Sequence, residues 1–240
     1  MIIWLASYPR SGNTFFRILL NHLCGIKTYS IYNDPLFKRL AGSSDIIGHR
    51  ELEIDLGEME HSEEIFFVKT HDLIYDDKPT LYLIRDGRDA VVSFAHYILT
   101  FERNNQGKTI RQRIKTLFFG CNEFEEILRE LIISSERYYD GWSNHVRHYK
   151  SMNYTHFVRF EDLIADPARS MQQAIKKLEL QNFSSKHEDI PSFKELHNKW
   201  PQFFRKGKTG AWRKDMTKEL QALFWKCHGD IMEEMGYEKC

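Results

Sequence analysis

The four cysteines, Cys24, Cys121, Cys227 and Cys240, are widely scattered and form no CxxC pair. That spacing supplies neither a zinc site nor a disulfide framework, and it fits free thiols in a reducing cytosol. No apolar run approaches the roughly 20 residues that a membrane span needs. The N-terminal apolar run has no basic segment before it and is cut off by Pro9-Arg10, so it is not read as a signal peptide. An excess of one charge is also missing: 34 basic residues balance 34 acidic ones, so nothing global argues for nucleic-acid or membrane binding, and neither is expected as a partner. Any anion site must therefore be a local gathering of Lys and Arg. Internal repeats and low-complexity stretches are absent too. What remains is the profile of a soluble, cytoplasmic globular protein. With 240 residues it can build one sizeable core, so a single domain over 1–240 is expected.

The most informative stretch is Ile2 to Leu20. Ile2-Ile3-Trp4-Leu5-Ala6 is apolar, Ser7 to Thr14 is polar, and Phe15, Phe16, Ile18, Leu19 and Leu20 then recur at helix-like intervals. The order predicts a buried strand, a tight turn and a helix. The first N–H groups of such a helix are unpaired, and with the helix dipole they form a ready phosphate site. Gly12 lacks the Cβ that would block close approach, while Arg10, Ser11 and Thr14 bring side-chain donors. An ordinary capped strand-to-helix connection would have the same outline.

Residues 21 to 64 carry turn chemistry and acid, and read as short helices and loops over a sheet. Tyr29, Tyr32 and Phe37 there are candidates to line a substrate entrance, or simply surface packing. Ile65-Phe66-Phe67-Val68 is a strand-length apolar run followed by Lys69-Thr70-His71. Thr80 to Ile84 repeats the pattern and delivers Arg85-Asp86-Gly87-Arg88-Asp89, after which a helix begins. Residues 100 to 115 are polar and basic, with a mobile tip expected at Asn104 to Gly107. One or two helices follow over Cys121 to Tyr149, then a strand at Thr155 to Val158. Asp166-Pro167 opens a helix through Leu178, with Pro at its first position. His187 to Asn198 reads as helical and is broken by Trp200-Pro201. Phe203 to Arg213 is a basic, glycine-containing loop, and a last helix runs from about Thr217 to Met235.

Strands alternating with helices indicate an α/β fold with a mainly parallel central sheet flanked by helices. Ligands of such sheets sit outside the carboxyl ends of the strands, where Lys69 to His71 and Arg85 would be presented. The opening turn is P-loop-like, yet GxxxxGK[ST] is absent: Ser7 stands in place of the first Gly, and Arg10 precedes Gly12. No apolar strand ends in an acidic pair suited to Mg²⁺, which disfavours an ATP- or GTP-dependent enzyme.

Five motifs, taken together, resemble those of the PAPS-dependent sulfotransferases, the cytosolic members above all. Ser7 to Phe15, SYPRSGNTF, resembles the family's TYPKSGTTW phosphosulfate loop. Lys69-Thr70-His71 matches its KTH, and Arg85 with Ser93 matches its 3′-phosphate motif. Ser192 to Leu196, SFKEL, is similar to SFKEM, and Arg205-Lys206-Gly207 with Gly210 and Trp212 is similar to RKGxxGDWK. The motifs stand in the family's order from residue 7 to residue 213.

The resemblance implies a P-loop-NTPase-like sulfotransferase fold. It also implies transfer of a sulfuryl group from 3′-phosphoadenosine 5′-phosphosulfate (PAPS) to a hydroxyl or amine, with 3′-phosphoadenosine 5′-phosphate (PAP) as product and no metal. Arg10, Ser11, Gly12, Asn13 and Thr14 would hold the 5′-phosphate side, and Arg10 replaces the usual Lys with a planar fork. His71 would take the acceptor's proton, with Lys69 beside the transferring group. Arg85, Ser93, Arg205, Lys206 and Gly207 would hold the 3′-phosphate, and Phe15 and Phe193 would sandwich the adenine. Phe15 stands where the family has Trp, Phe160 where it has Tyr, and Ala211 where it has Asp. The residues after Trp212 match the family's dimer motif poorly, so the oligomeric state stays open.

Read singly, each residue has a plainer explanation. His71 could be a surface residue, Arg85 and Arg88 could pair with Asp86 and Asp89 on a solvated helix start, and Phe15 and Phe193 could be core. A nucleotide-binding protein without catalysis and a P-loop-like small-molecule kinase remain the alternatives. The acceptor is expected to be a small molecule, met by residues 26–60 and 99–120.

Overall fold

The computed structural model describes residues 1–32, 42–52, 55–105, 122–133, 139–180, 190–201, 204 and 207–239. The chain divides into two compact units. One comprises Met1–Arg85 and His148–Glu195, the other Asp86–Arg147 and Leu196–Cys240.

The first unit is built on a five-stranded parallel sheet, β1 (Ile2–Ala6), β2 (Thr28–Ser30), β3 (Phe66–Thr70), β4 (Thr80–Ile84) and β5 (Thr155–Arg159). Their order is β2-β3-β1-β4-β5, with Ile2 opposite Phe66 and Ala6 opposite Thr70. The chain passes to one side of β1 for β2 and β3 and to the other for β4 and β5. The order therefore reverses at β1, whose carboxyl end is where a ligand of an open parallel sheet binds. All five residues of β1, β3 and β4 are buried, as strands covered on both faces require.

Helix α1 (Asn13–Cys24) follows β1 and ends at Gly25, whose positive φ of 65° closes the last turn. The short α2 (Ser43–Ile47) packs on it. α3 (Leu56–His61) starts with a capping box between Asp55 and Glu58. α7 (Phe160–Ala165) and α8 (Pro167–Lys177) follow β5, and α8 packs on α1. Asp166 caps α8 by accepting from the Arg169 N–H, with Pro167 in the first turn, as the sequence predicts.

The second unit is helical: α4 (Gly87–Asn105), α5 (Glu123–Ile133), most of α6 (Gly141–Ser151), the end of α9 (Phe193–Lys199), α10 (Trp212–Asp215) and α11 (Lys218–Glu234). Trp142, Phe224, Leu128, Leu131 and Met232 are fully buried there. Thr217 caps α11 through the Leu220 N–H. No helix among the described residues is long and apolar enough to cross a membrane.

Some expectations shift. β2 adds an edge strand inside a region read as loops and helices. β3 starts one residue later than expected and runs on through Lys69 and Thr70, so both are strand residues. α4 continues to Asn105, through the start of the expected mobile tip, and residues 106–121 lie outside the described residues.

A buried histidine gives the second unit a pH dependence. His228 Nε2 lies 3.0 Å from the Ile132 carbonyl, which can only accept, so Nε2 carries the proton. Nδ1 then accepts from the Ser143 hydroxyl at 2.7 Å. Burial beside Trp142 and Phe224 pulls its pKa from 6.5 down to about 4, helped by the Arg147 charge and opposed by the Ile132 contact and Asp230. Between those values the unfolded chain binds the proton more readily, so stability present above pH 6.5 is lost as pH falls through 4. The loss amounts to about 3 kcal/mol. Urea unfolding at pH 7 and 4.5 should show the wild type losing about 2–3 kcal/mol more than His228→Gln; equal losses would refute the linkage.

Candidate active site

At the carboxyl end of β1 the chain makes a turn that only certain residues allow. Arg10 and Gly12 have φ of 69° and 97°. The Ser11 N–H donates to the Tyr8 carbonyl at 3.3 Å, and the first bond of α1 runs from the Phe16 N–H to the Gly12 carbonyl. The N–H groups of Asn13, Thr14 and Phe15 thus precede any carbonyl of the helix, and Gly12 offers no side-chain cap. The Ser11 hydroxyl is buried without a hydrogen-bond partner among the described residues. Asn13 turns its amide back, donating to the Leu5 carbonyl at 2.8 Å and to Ser7 Oγ at 3.3 Å. Its side chain therefore braces the turn, and only its backbone N–H faces forward with the helix start. Thr14 is half-buried beside it.

β3 brings Lys69 and His71 to the same end of the sheet. His71 Nδ1 lies 2.7 Å from the Ser7 carbonyl and 3.3 Å from Ser7 Oγ. A carbonyl only accepts, so Nδ1 is the protonated nitrogen and Nε2 carries the lone pair. The His71 backbone N–H donates to the Tyr32 hydroxyl at 2.8 Å, and the two rings stack at 5.8 Å and 21°. Lys69 is buried, with Nζ 5.5 Å from the Tyr32 ring centre. Burial pushes the Tyr32 hydroxyl pKa up, keeping it a neutral donor and acceptor. Tyr32 was visible in the sequence only as an entrance aromatic. Its grip on both Lys69 and His71 had no local signal.

Arg85, at the end of β4, donates from Nη1 to the Arg10 carbonyl at 3.1 Å and lies 4.5 Å over the Phe160 ring. Phe160 also packs on Gly12, where an added Cβ would meet its Cδ2 at 2.4 Å. Phe160 is thus a packing partner of the turn at Gly12 and a cation–π partner of Arg85. Phe15 and Phe193 do meet, with ring centres 5.2 Å apart and tilted by 53°. A base stacked on both needs them about 7 Å apart, two aromatic contact distances, so the rings must separate to admit one.

One turn beyond Asn13 on α1, Arg17 is fully buried, with Nε donating to Thr28 Oγ1 at 2.7 Å and Nη2 to His49 Nδ1 at 2.9 Å. Burial lowers the Arg17 pKa to about 9. Burial, then Arg17 and Lys69, lower that of His49 to about 4. His49 is thereby held neutral beside the buried Arg17 guanidinium.

The first unit accordingly gathers Arg10, Ser11, Gly12, Asn13, Thr14, Phe15, Lys69, His71, Arg85 and Phe193. Ser93 is buried on α4 and Gly207 has a φ of 54°, both in the second unit. Arg205 and Lys206 lie outside the described residues. Arg88 does pair with Asp86, at 2.8 Å, but in a buried setting rather than on a solvated helix start.

A family model described as a sulfotransferase domain matches residues 2–236. No curated protein matches the chain in sequence. Among solved structures, mouse sulfotransferase SULT7A1 in complex with PAP is similar at a TM-score of 0.62 and 18% identity, covering 97% of this chain and 84% of that one. A retinol dehydratase solved with androsterone and the inactive cofactor PAP gives 0.59 and 20%, covering 99% and 82%.

Proposed function

The chain belongs to the sulfotransferase family, and from that premise we propose that it transfers a sulfuryl group from PAPS to a hydroxyl or amine of a small acceptor, with His71 as base. The observation that carries this reading is the Ser7 carbonyl on His71 Nδ1, which directs the basic Nε2 away from the strand end. The residues fit the donor: a helix start without a side-chain cap, the orphaned Ser11 hydroxyl and the cations Arg10, Lys69 and Arg85 suit a ligand with several anionic groups.

When bound, PAPS supplies an activated sulfuryl group and a phosphate leaving group. Arg10, the N–H groups of Gly12 to Phe15, and the Ser11 and Thr14 hydroxyls bind the 5′-phosphosulfate. Arg10 and Lys69 stabilise negative charge that grows on the leaving side, which lowers the barrier more than it tightens binding. Arg85, Ser93, Arg205, Lys206 and Gly207 bind the 3′-phosphate. Phe15 and Phe193 part to hold the base. His71 accepts the acceptor's proton at Nε2, and the Ser7 carbonyl holds the resulting imidazolium at Nδ1. We take both units as one sulfotransferase domain, since a single family model runs through them, and place the protein in the cytoplasm. The androsterone and retinol complexes of retinol dehydratase support a small hydroxylated acceptor.

The deciding experiment incubates the protein with labelled PAPS and a panel of hydroxylated and amino compounds, with and without chelator. Labelled product that survives the chelator is expected. Transfer only from ATP with Mg²⁺ would make it a kinase, and PAP binding without transfer to any of the panel would make it a binding protein.

A further inference from the structure

Asp89 is an acid between Arg85 and Ser93, both read as binding an anion, and it is almost fully buried. Its carboxylate accepts from the Gly210 N–H at 2.6 Å through Oδ2 and from the Trp212 N–H at 3.0 Å through Oδ1. Both amides belong to the glycine-containing segment that carries Gly207. The same segment is fastened at Trp212, whose ring lies 4.0 Å from the Arg88 guanidinium and 4.5 Å from that of Arg213. Arg88 is itself fixed by Asp86, through Nε at 3.0 Å and Nη2 at 2.8 Å, and donates to the carbonyls of Glu238 and Lys239. Asp89 and Ser93 are four residues apart on α4, so they lie on one face, one turn from each other.

We propose that Asp89 is a positioning residue for recognition of the 3′-phosphate. It ties the Gly207–Trp212 segment to the helix face that bears Ser93, so that the segment's donors and the Ser93 hydroxyl converge on one phosphate. A carboxylate cannot bind that phosphate itself, because like charges repel. Its contribution therefore passes through the two backbone amides it holds. Gly207 stands three residues before Gly210, which leaves the segment's leading end little freedom once Asp89 has fixed the other. The inference rests on the sulfotransferase reading and deepens it: discrimination between PAP and a nucleotide lacking the 3′-phosphate depends on an acid that touches neither.

The test compares PAP with 5′-AMP by calorimetry on the wild type and on Asp89→Asn, a near-isosteric change that turns one of the two acceptors into a donor facing an N–H. PAP affinity should fall about 10- to 100-fold, the range for a lost charge-assisted bond. Affinity for 5′-AMP should stay within about twofold, and turnover at saturating PAPS should stay near the wild-type value. Equal loss for both nucleotides, or no loss for either, would overturn the proposal. Amide exchange on the wild type gives a second measurement that needs no variant: PAP, but not 5′-AMP, should slow exchange at Gly210 and Trp212, and no difference would again overturn it. A wild type that failed to prefer PAP over 5′-AMP would instead refute the underlying 3′-phosphate reading.

Discussion

His71→Ala should cut sulfuryl transfer by about 100- to 10,000-fold, the usual contribution of a positioned base, while PAP affinity changes little. The separation follows from where the ring is anchored. His71 is held by groups of the protein alone, with the Ser7 carbonyl on Nδ1 and the Tyr32 ring stacked beside it. Removing it takes no donor or charge away from the helix start that binds the phosphate side. Loss of an interaction made only in the transition state lowers kcat and kcat/KM together and leaves donor binding intact. Steady-state turnover and PAP titration, both on His71→Ala, read the two quantities. Near-normal turnover would show that another group takes the proton. Loss of PAP binding in step with turnover would show that His71 supports the turn rather than the chemistry.

What the sequence made legible was local. β1, the turn and α1 follow one another without long-range help, and an apolar run, a glycine and a 3.6-residue period each leave a direct mark. β2 left none, because Thr28-Tyr29-Ser30 has no apolar run of its own and is a strand only through its pairing with Phe67 to Lys69. The sequence marks β3 only as far as Val68, because a lysine ordinarily ends a buried strand. Lys69 remains inside it, with its cation near the Tyr32 ring. α7 begins on the residue after β5, with no turn chemistry to announce it.

The site residues divide in the same way. Their types and order pointed to an anion site, but which partners each would find could not be read along the chain. Asn13 stands in the loop implied to hold the 5′-phosphate side, and the structure turns its amide nitrogen to Leu5 and Ser7, which leaves its backbone N–H for that role. The acids Asp86 and Asp89 read as solvated because charge at a helix start usually is, and only the packed structure shows both buried. Burial is a property of all the chain that lies on top, so a hexapeptide such as Arg85 to Ala90 cannot declare it.

The turn itself supplies the second large effect. Gly12→Ala should destabilise the fold by about 2–5 kcal/mol, summing about 1–2 for a left-handed residue with a Cβ and about 1–3 for overpacking. It should also weaken PAP binding well beyond tenfold. The φ of 97° is the first cause, and the second is Phe160, whose Cδ2 and Cε2 would lie 2.4 and 3.0 Å from the new methyl group. Phe160 is itself buried and cannot retreat without moving the Arg85 guanidinium above it. Arg85 in turn holds the Arg10 carbonyl, so the strain is delivered to the segment that carries the phosphate's donors. The two causes can be separated. Phe160→Leu makes room for the methyl group but leaves φ untouched, so in a double-mutant cycle it should cost less in the Gly12→Ala background than in the wild type. Urea unfolding gives the coupling and PAP titration gives the functional loss. A Gly12→Ala protein with wild-type stability and PAP affinity would mean that the turn does not have this geometry, and the phosphate site built on it would fall too.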